Sequence, residues 1–130
     1  AGGRRDGGAA PDAEGRHAVT RFWWVRHGPT RSRVMAPRDL PADLSDHSAL
    51  ARLRDFLPDA PVIASALRRA SMTADAVAGP RPRLPDDPNL AEFDHGAWEG
   101  LGWEEIAARW PALSRACWEA PGEAAPPGGE

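Results

Sequence analysis

A chain of 130 residues with 16 basic and 19 acidic side chains and a formal charge of -3 is long enough for one domain, and carries no global basic field that would draw it to nucleic acid or acidic lipid. One cysteine, Cys117, excludes an internal disulfide, and no apolar run approaches the roughly 20 residues that span a bilayer, so a reducing cytoplasm is the expected setting. Every basic residue is arginine, which supplies planar, permanently charged forks.

The first 18 residues, rich in Gly, Ala, Arg and acid, have no apolar segment; they read as a disordered tail and not a secretory signal. The domain is expected over 19–130. Val19–Val25, "VTRFWWV", is β-branched and aromatic over strand length with apolar side chains on both faces, the pattern of a central strand in a covered sheet. It delivers Arg26, His27 and Gly28 at its end. After a polar loop, Ser45 or Asp46 can cap a helix that runs to about Leu57 on a Leu50, Leu53, Leu57 stripe, and Pro58 and Pro61 end it. "PVIAS" then reads as a second strand.

Ser65 is expected to open a second helix with Leu67, Ala70, Ala74 and Val77 on one stripe, closed by Gly79 and Pro80. Strand, helix, strand, helix implies a βαβ unit with a parallel sheet, both strands presenting their carboxyl ends at one edge. Residues 80–102, rich in Pro, Gly and acid, read as an irregular excursion. A third helix starts at Trp103 and Pro111 starts a fourth that ends near Glu119. Trp98, Trp103 and Trp110 are expected to pack, with Trp98 also able to wall a pocket, and Cys117 to sit as a small buried apolar residue. His17, His27, His47, His95 and Cys117 show no metal-ligand spacing, so no metal is expected. Arg31, Arg33 and Arg38 read as solvated loop charges.

Ligands of open α/β sheets bind beyond the carboxyl ends of the strands. This chain puts "RHG" after the first strand and "SALRRA" after the second, so Arg26, His27 and Arg69 can converge. Two guanidinium forks around an imidazole favour a tetrahedral dianion such as phosphate. A neutral imidazole can displace an alkoxide from phosphorus only if an acid protonates the leaving oxygen, a service worth about 10²- to 10⁴-fold. Glu92 and Asp94, in "LAEFDHG", are carboxyls that could supply it, and bound phosphate and a Trp-lined loop would favour the protonated form of either.

Three blocks, "VRHGPT", "SALRRASMTA" and "LAEFDHGAWEG", stand in an order and spacing that resembles the histidine phosphatase superfamily, the phosphoglycerate mutase-like proteins, from about Arg21 to Glu130. The resemblance implies a three-layer α/β/α fold with a mainly parallel central sheet and no metal or organic cofactor. It implies that His27 is the nucleophile that becomes phosphohistidine, that Arg26 and Arg69 grip the phosphoryl group, and that Glu92 is the proton donor. Gly28, Thr30 and Ser45 are the further substrate contacts it implies, and His95 is left as either a substrate contact or a rim residue. The substrate would be a phosphorylated small molecule, with neither nucleic acid nor membrane as partner; the oligomeric state stays open.

The chain departs from the family pattern in three places. No asparagine follows in "RHGPTRSRVMAP", which disfavours a mutase. His95 stands where the family usually has an aromatic. The second catalytic histidine, on a later strand, has no counterpart, and the chain reads as truncated after its N-terminal part. The expected activity is therefore phosphomonoester hydrolysis, by a chain weak or inactive alone, with mutase-type transfer and a non-catalytic phosphoryl-binding or interaction module as the alternatives.

Overall fold

The computed structural model describes residues 19–32, 34, 35 and 39–130. The proposed tail, His17, Arg33 and Arg38 lie outside the described residues. Four helices follow in order: α1, His47–Phe56; α2, Arg68–Ala78; α3, Trp103–Arg109; α4, Pro111–Glu119. Two 3₁₀ turns, Pro88–Leu90 and Gly96–Trp98, break the stretch between α2 and α3. Helix α1 packs on α2, and α3 on α4.

Local chemistry sets the helix ends. Asp46, not Ser45, caps α1 by accepting from the Ala49 amide at 2.9 Å, which satisfies one of the orphan donors of the first turn. Helix α2 starts three residues after Ser65, and the Ser65 hydroxyl accepts from the Leu67 amide at 3.2 Å. Asp39 takes the Arg68 amide at 2.6 Å. Gly79 ends α2 with φ of 56°, a left-handed conformation that costs glycine nothing. Pro111 begins α4, where its missing N–H would have had no partner in any case.

The strands need correction. Val19–Val25 has no ladder partner among the described residues and is open to water, with Trp24 85% exposed. Its apolar pattern was necessary for a central strand and not sufficient, because a strand exists only where a second segment supplies the facing N–H and C=O groups. The parallel pairing lies one step further along the chain. Val62 bridges to Arg83 and Ser65 to Asp87, both parallel, through Val62 N–H to the Pro82 carbonyl, Leu84 N–H to that of Val62 and Asp87 N–H to that of Ala64, each 2.8 Å. The βαβ-like unit is thus 62–65, α2, 83–87, and part of the supposed irregular excursion is its second edge.

Arg81 ties α1 to α2. Its guanidinium donates to the carbonyls of Pro58 at 2.6 Å, Arg54 at 2.8 Å, Val77 at 3.3 Å and Ala78 at 3.2 Å, and also to Leu57. One side chain therefore satisfies the last carbonyls of two helices. The buried apolar side chains lie on α2 (Ala74, Val77, Ala78) with Ala64, Ala42, Trp98 and Ile106 elsewhere. Trp98 packs as expected. Trp103 does not: it is half in water and rests on the exposed Trp118, with ring centroids 5.2 Å apart. Cys117 is half-buried, its thiol against the Ala124 carbonyl at 3.5 Å.

Candidate active site

Arg26, His27, Ser65, Arg69, Thr73 and Glu92 line one cleft of about 680 Å³. His27 is half-buried, and its Nδ1 lies 2.7 Å from the carbonyl oxygen of Gly28. A carbonyl only accepts, so in the neutral imidazole Nδ1 carries the proton and the lone pair is left on Nε2. Backbone geometry alone fixes the tautomer.

The Gly28 amide donates to Thr73 Oγ1 at 2.8 Å, and the same hydroxyl donates to the Arg69 carbonyl at 2.6 Å. Thr73, 3% exposed, thereby clamps the loop carrying His27 to the first turns of α2. Leu44 and Ala42 press on the same glycine, where an added Cβ would come within 3.2 Å of Leu44 Cδ2. Sequence reasoning missed Thr73: its one signal is a hydroxyl four residues after Arg69 on the helix, and nothing local reveals the partner 45 positions away.

Arg69 is 8% exposed in the first turn of α2, and its Nη2 donates to Glu92 Oε2 at 2.7 Å. The Glu92 carboxylate is about half in water. Arg26 is exposed and borders the same cleft. The four residues of the three sequence blocks thus share one cavity, with the acid and one arginine already in contact.

The remaining expected contacts lie elsewhere. Gly28 supports the cleft from behind through Thr73. Thr30 and Ser45 do not line it; Ser45 is exposed, its amide held by Asp43 Oδ1 at 3.1 Å. Asp43 also pairs with Arg31 at 2.8 Å, and the Arg31 hydrogen bond, with help from Ser45, holds the Asp43 carboxyl down at about 2. Arg31 is therefore a partnered loop charge. His95 lines a neighbouring cleft and packs on Phe93 at 4.8 Å between ring centroids.

The segment after Glu92 is pinned by residues 126–130. Ala97 N–H donates to the Pro127 carbonyl at 2.9 Å and Glu130 N–H to that of Asp94 at 3.0 Å. Gly96, with φ of 53°, and Gly129 meet so closely that a Cβ on either would overlap the opposing backbone. Met35 closes the other side, its amide donating to the Leu101 carbonyl at 2.8 Å.

A model of the histidine phosphatase superfamily (branch 1) matches residues 22–130. The bifunctional protein Rv2228c of Mycobacterium tuberculosis is 45% identical over 74 residues, which cover 55% of this chain and 20% of that protein. Among solved structures, TTHB049 of Thermus thermophilus superposes with a TM-score of 0.62 at 34% identity, over 82% of this chain and 61% of that one. The alpha-ribazole phosphatase of Shigella flexneri superposes with a TM-score of 0.60 at 27% identity, over 82% of this chain and 56% of that one. The chain therefore spans about a fifth of the curated relatives and about three-fifths of these structures, whose fold is α/β.

Proposed function

Since this chain belongs to the histidine phosphatase superfamily, branch 1, we propose that it hydrolyses phosphate monoesters through a phosphohistidine on His27. The observation that carries the reading is the Nδ1 hydrogen bond of His27 to its own neighbour's carbonyl, in a cleft that also holds Arg26, Arg69 and Glu92. It leaves Nε2 as a rigidly held nucleophile, and rigid placement of reacting atoms lowers the barrier before any bond changes.

In the first step the Nε2 lone pair forms a bond to phosphorus while the ester oxygen leaves with its electron pair and takes a proton from Glu92. In the second, Glu92 as carboxylate removes a proton from water, whose oxygen displaces Nε2 and releases inorganic phosphate. Arg26 and Arg69 neutralise the three equatorial oxygens in both steps. A phosphate seated at His27 competes with Glu92 for Arg69, so substrate entry loosens the ion pair. Gly28 positions the nucleophile. Thr30, Ser45 and His95 stand off this cleft and in this proposal would meet only the outer part of a bound substrate.

The wider reading follows from the same membership. The tail of residues 1–18 precedes a catalytic unit over 19–130, part of a three-layer α/β/α fold acting in the cytoplasm on a phosphorylated small molecule, without metal or organic cofactor. The Shigella neighbour's name, a phosphatase, is in keeping with hydrolysis. The lack of asparagine in "RHGPTRSRVMAP" speaks against mutase-type transfer, the second reading.

The test is to expose the protein, expressed from its complete reading frame, to p-nitrophenyl phosphate, quench in alkali and map phosphate by mass spectrometry. Acid-labile phosphate on His27 that passes to water is the expected result. Turnover with His27 never phosphorylated would overturn the mechanism, phosphoryl return to an alcohol would make the enzyme a mutase, and neither turnover nor phosphorylation would leave a binding module.

A further inference from the structure

His27 follows a segment that pairs with no other strand among the described residues, so its placement in this structure rests on contacts made further along the chain. The Gly28 amide donates to Thr73 Oγ1 at 2.8 Å, and the Asp43 amide donates to the Pro29 carbonyl at 2.7 Å. The first of these bonds reaches α2, the helix that carries Arg69.

The Thr73 side chain is fully committed to that attachment. A hydroxyl has one proton and two lone pairs: the proton goes to the Arg69 carbonyl at 2.6 Å, and a lone pair takes the Gly28 N–H. Thr73 is 3% exposed, so little water reaches either bond, and its branched Cβ stiffens the first side-chain torsion. Leu44 and Ala42 close on Gly28 as well: a Cβ there would lie 3.2 Å from Leu44 Cδ2, 3.4 Å from Thr73 Oγ1 and 3.5 Å from Ala42 Cβ. With its proton engaged, Thr73 has none to offer an anion in the cleft it borders.

The bonds form one path. His27 Nδ1 rests on the Gly28 carbonyl at 2.7 Å, the Gly28 amide on Thr73, the Thr73 hydroxyl on the Arg69 carbonyl, and the Arg69 guanidinium on Glu92 at 2.7 Å. Thr73 is the side chain in that path that joins the His27 loop to the helix.

We infer that Thr73 is a positioning residue for phosphoryl transfer: it holds the His27 loop at a fixed distance from α2, so that the imidazole meets a phosphorus gripped by Arg69 in line. The inference rests on the reading of His27 as nucleophile and adds the residue that sets its attack geometry. Affinity for phosphate comes chiefly from the guanidinium groups, whereas the rate of attack depends on alignment, and a misplacement of about 1 Å can cost about 10²-fold. Loss of the Thr73 hydroxyl should therefore appear in the rate and not in the affinity.

The experiment uses the protein from its complete reading frame, with p-nitrophenyl phosphate in a rapid-quench assay that reads phosphate on His27. Thr73→Val should slow phosphorylation of His27 by roughly ten- to 10²-fold, with inhibition by inorganic phosphate unchanged within about twofold. Thr73→Ser, which restores the hydroxyl, should return the rate to within about threefold of the wild type. Ile106→Val removes a methylene from a side chain that is 0% exposed and lines neither cleft; it loosens the core away from the path and should leave the rate unchanged. A Thr73→Val rate equal to the wild type, a Thr73→Ser rate no better than that of Thr73→Val, or an equal slowing by Ile106→Val overturns the inference. So does a loss of phosphate affinity as large as the loss of rate, which would place Thr73 in anion binding. A wild type that turns over the ester with His27 never phosphorylated overturns the nucleophile reading itself, before any variant is compared.

Discussion

Arg69 and Glu92 are joined by a 2.7 Å ion pair in which the arginine is buried and the carboxylate half in water. The proposed phosphate clamp and the proposed acid thus hold each other until an anion separates them. Glu92→Gln keeps the hydrogen-bonding shape and removes the proton. Hydrolysis of an alkyl phosphate should fall roughly 10²-fold or more, and hydrolysis of a nitrophenyl ester, whose leaving group needs no proton, much less. Equal losses on both esters in steady-state assays would show that Glu92 is not the acid.

Thr73 should matter more than its distance from the nucleophile implies. Thr73→Val keeps the shape but leaves the Gly28 amide and the Arg69 carbonyl without their shared partner. An unmade buried hydrogen bond costs about 1–3 kcal/mol. The urea midpoint should drop accordingly, and Thr73→Ser should recover most of the loss. A Thr73→Ser variant as weak as Thr73→Val would assign the effect to packing.

Arg81→Met retains the aliphatic stem and deletes the donors to carbonyls of α1, α2 and Pro58. Since charged hydrogen bonds contribute more than neutral ones, a loss of about 2 kcal/mol in chemical denaturation is expected. The helices should remain, so far-ultraviolet circular dichroism at low temperature should change little.

Gly96→Ala and Gly129→Ala each place a methyl group where the backbone of the opposing segment already sits. Either should release 126–130 from the segment after Glu92, at a cost of about 1–3 kcal/mol. Proteolysis around 121–130 should then accelerate. Gly100→Ala is the informative control: it has a positive φ, of 80°, as Gly96 does, but open space around its Cα, so any strain it shows is conformational alone.

Asp43 sets an acid limit. Its carboxyl is lowered from 3.8 to about 2, first by the Arg31 side chain and then by Ser45, so the folded state holds the proton less tightly than the unfolded chain. The stability this adds is complete above the unfolded value near 3.8 and disappears as pH falls through about 2. Asp43→Asn should flatten the pH dependence of thermal unfolding over that interval and change it little near neutrality. An unchanged acid limb would mean that the Arg31 pair does not persist in solution.

How much of this was legible beforehand follows from how far each signal reaches along the chain. Asp46, Gly79 and Pro111 act on their own few residues, by capping, by a left-handed turn and by a missing donor, and the helix ends they mark lie within a few residues of where the letters put them. The gathering of Arg26, His27, Arg69 and Glu92 in one cleft was equally legible, since their types and places at element ends stand out in the letters. Pairing was not. "VTRFWWV" looks like a strand but bonds to nothing among the described residues, while the proline-rich 82–87 lacks any alternation and yet pairs with 62–65, because a ladder is the joint property of two segments and α2 decides which two arrive side by side. The Thr73 clamp and the Gly96–Gly129 contact belong to the same class: each depends on which atoms share a volume after the chain has folded, and residues 45 or 33 positions apart carry no mark of one another until it has.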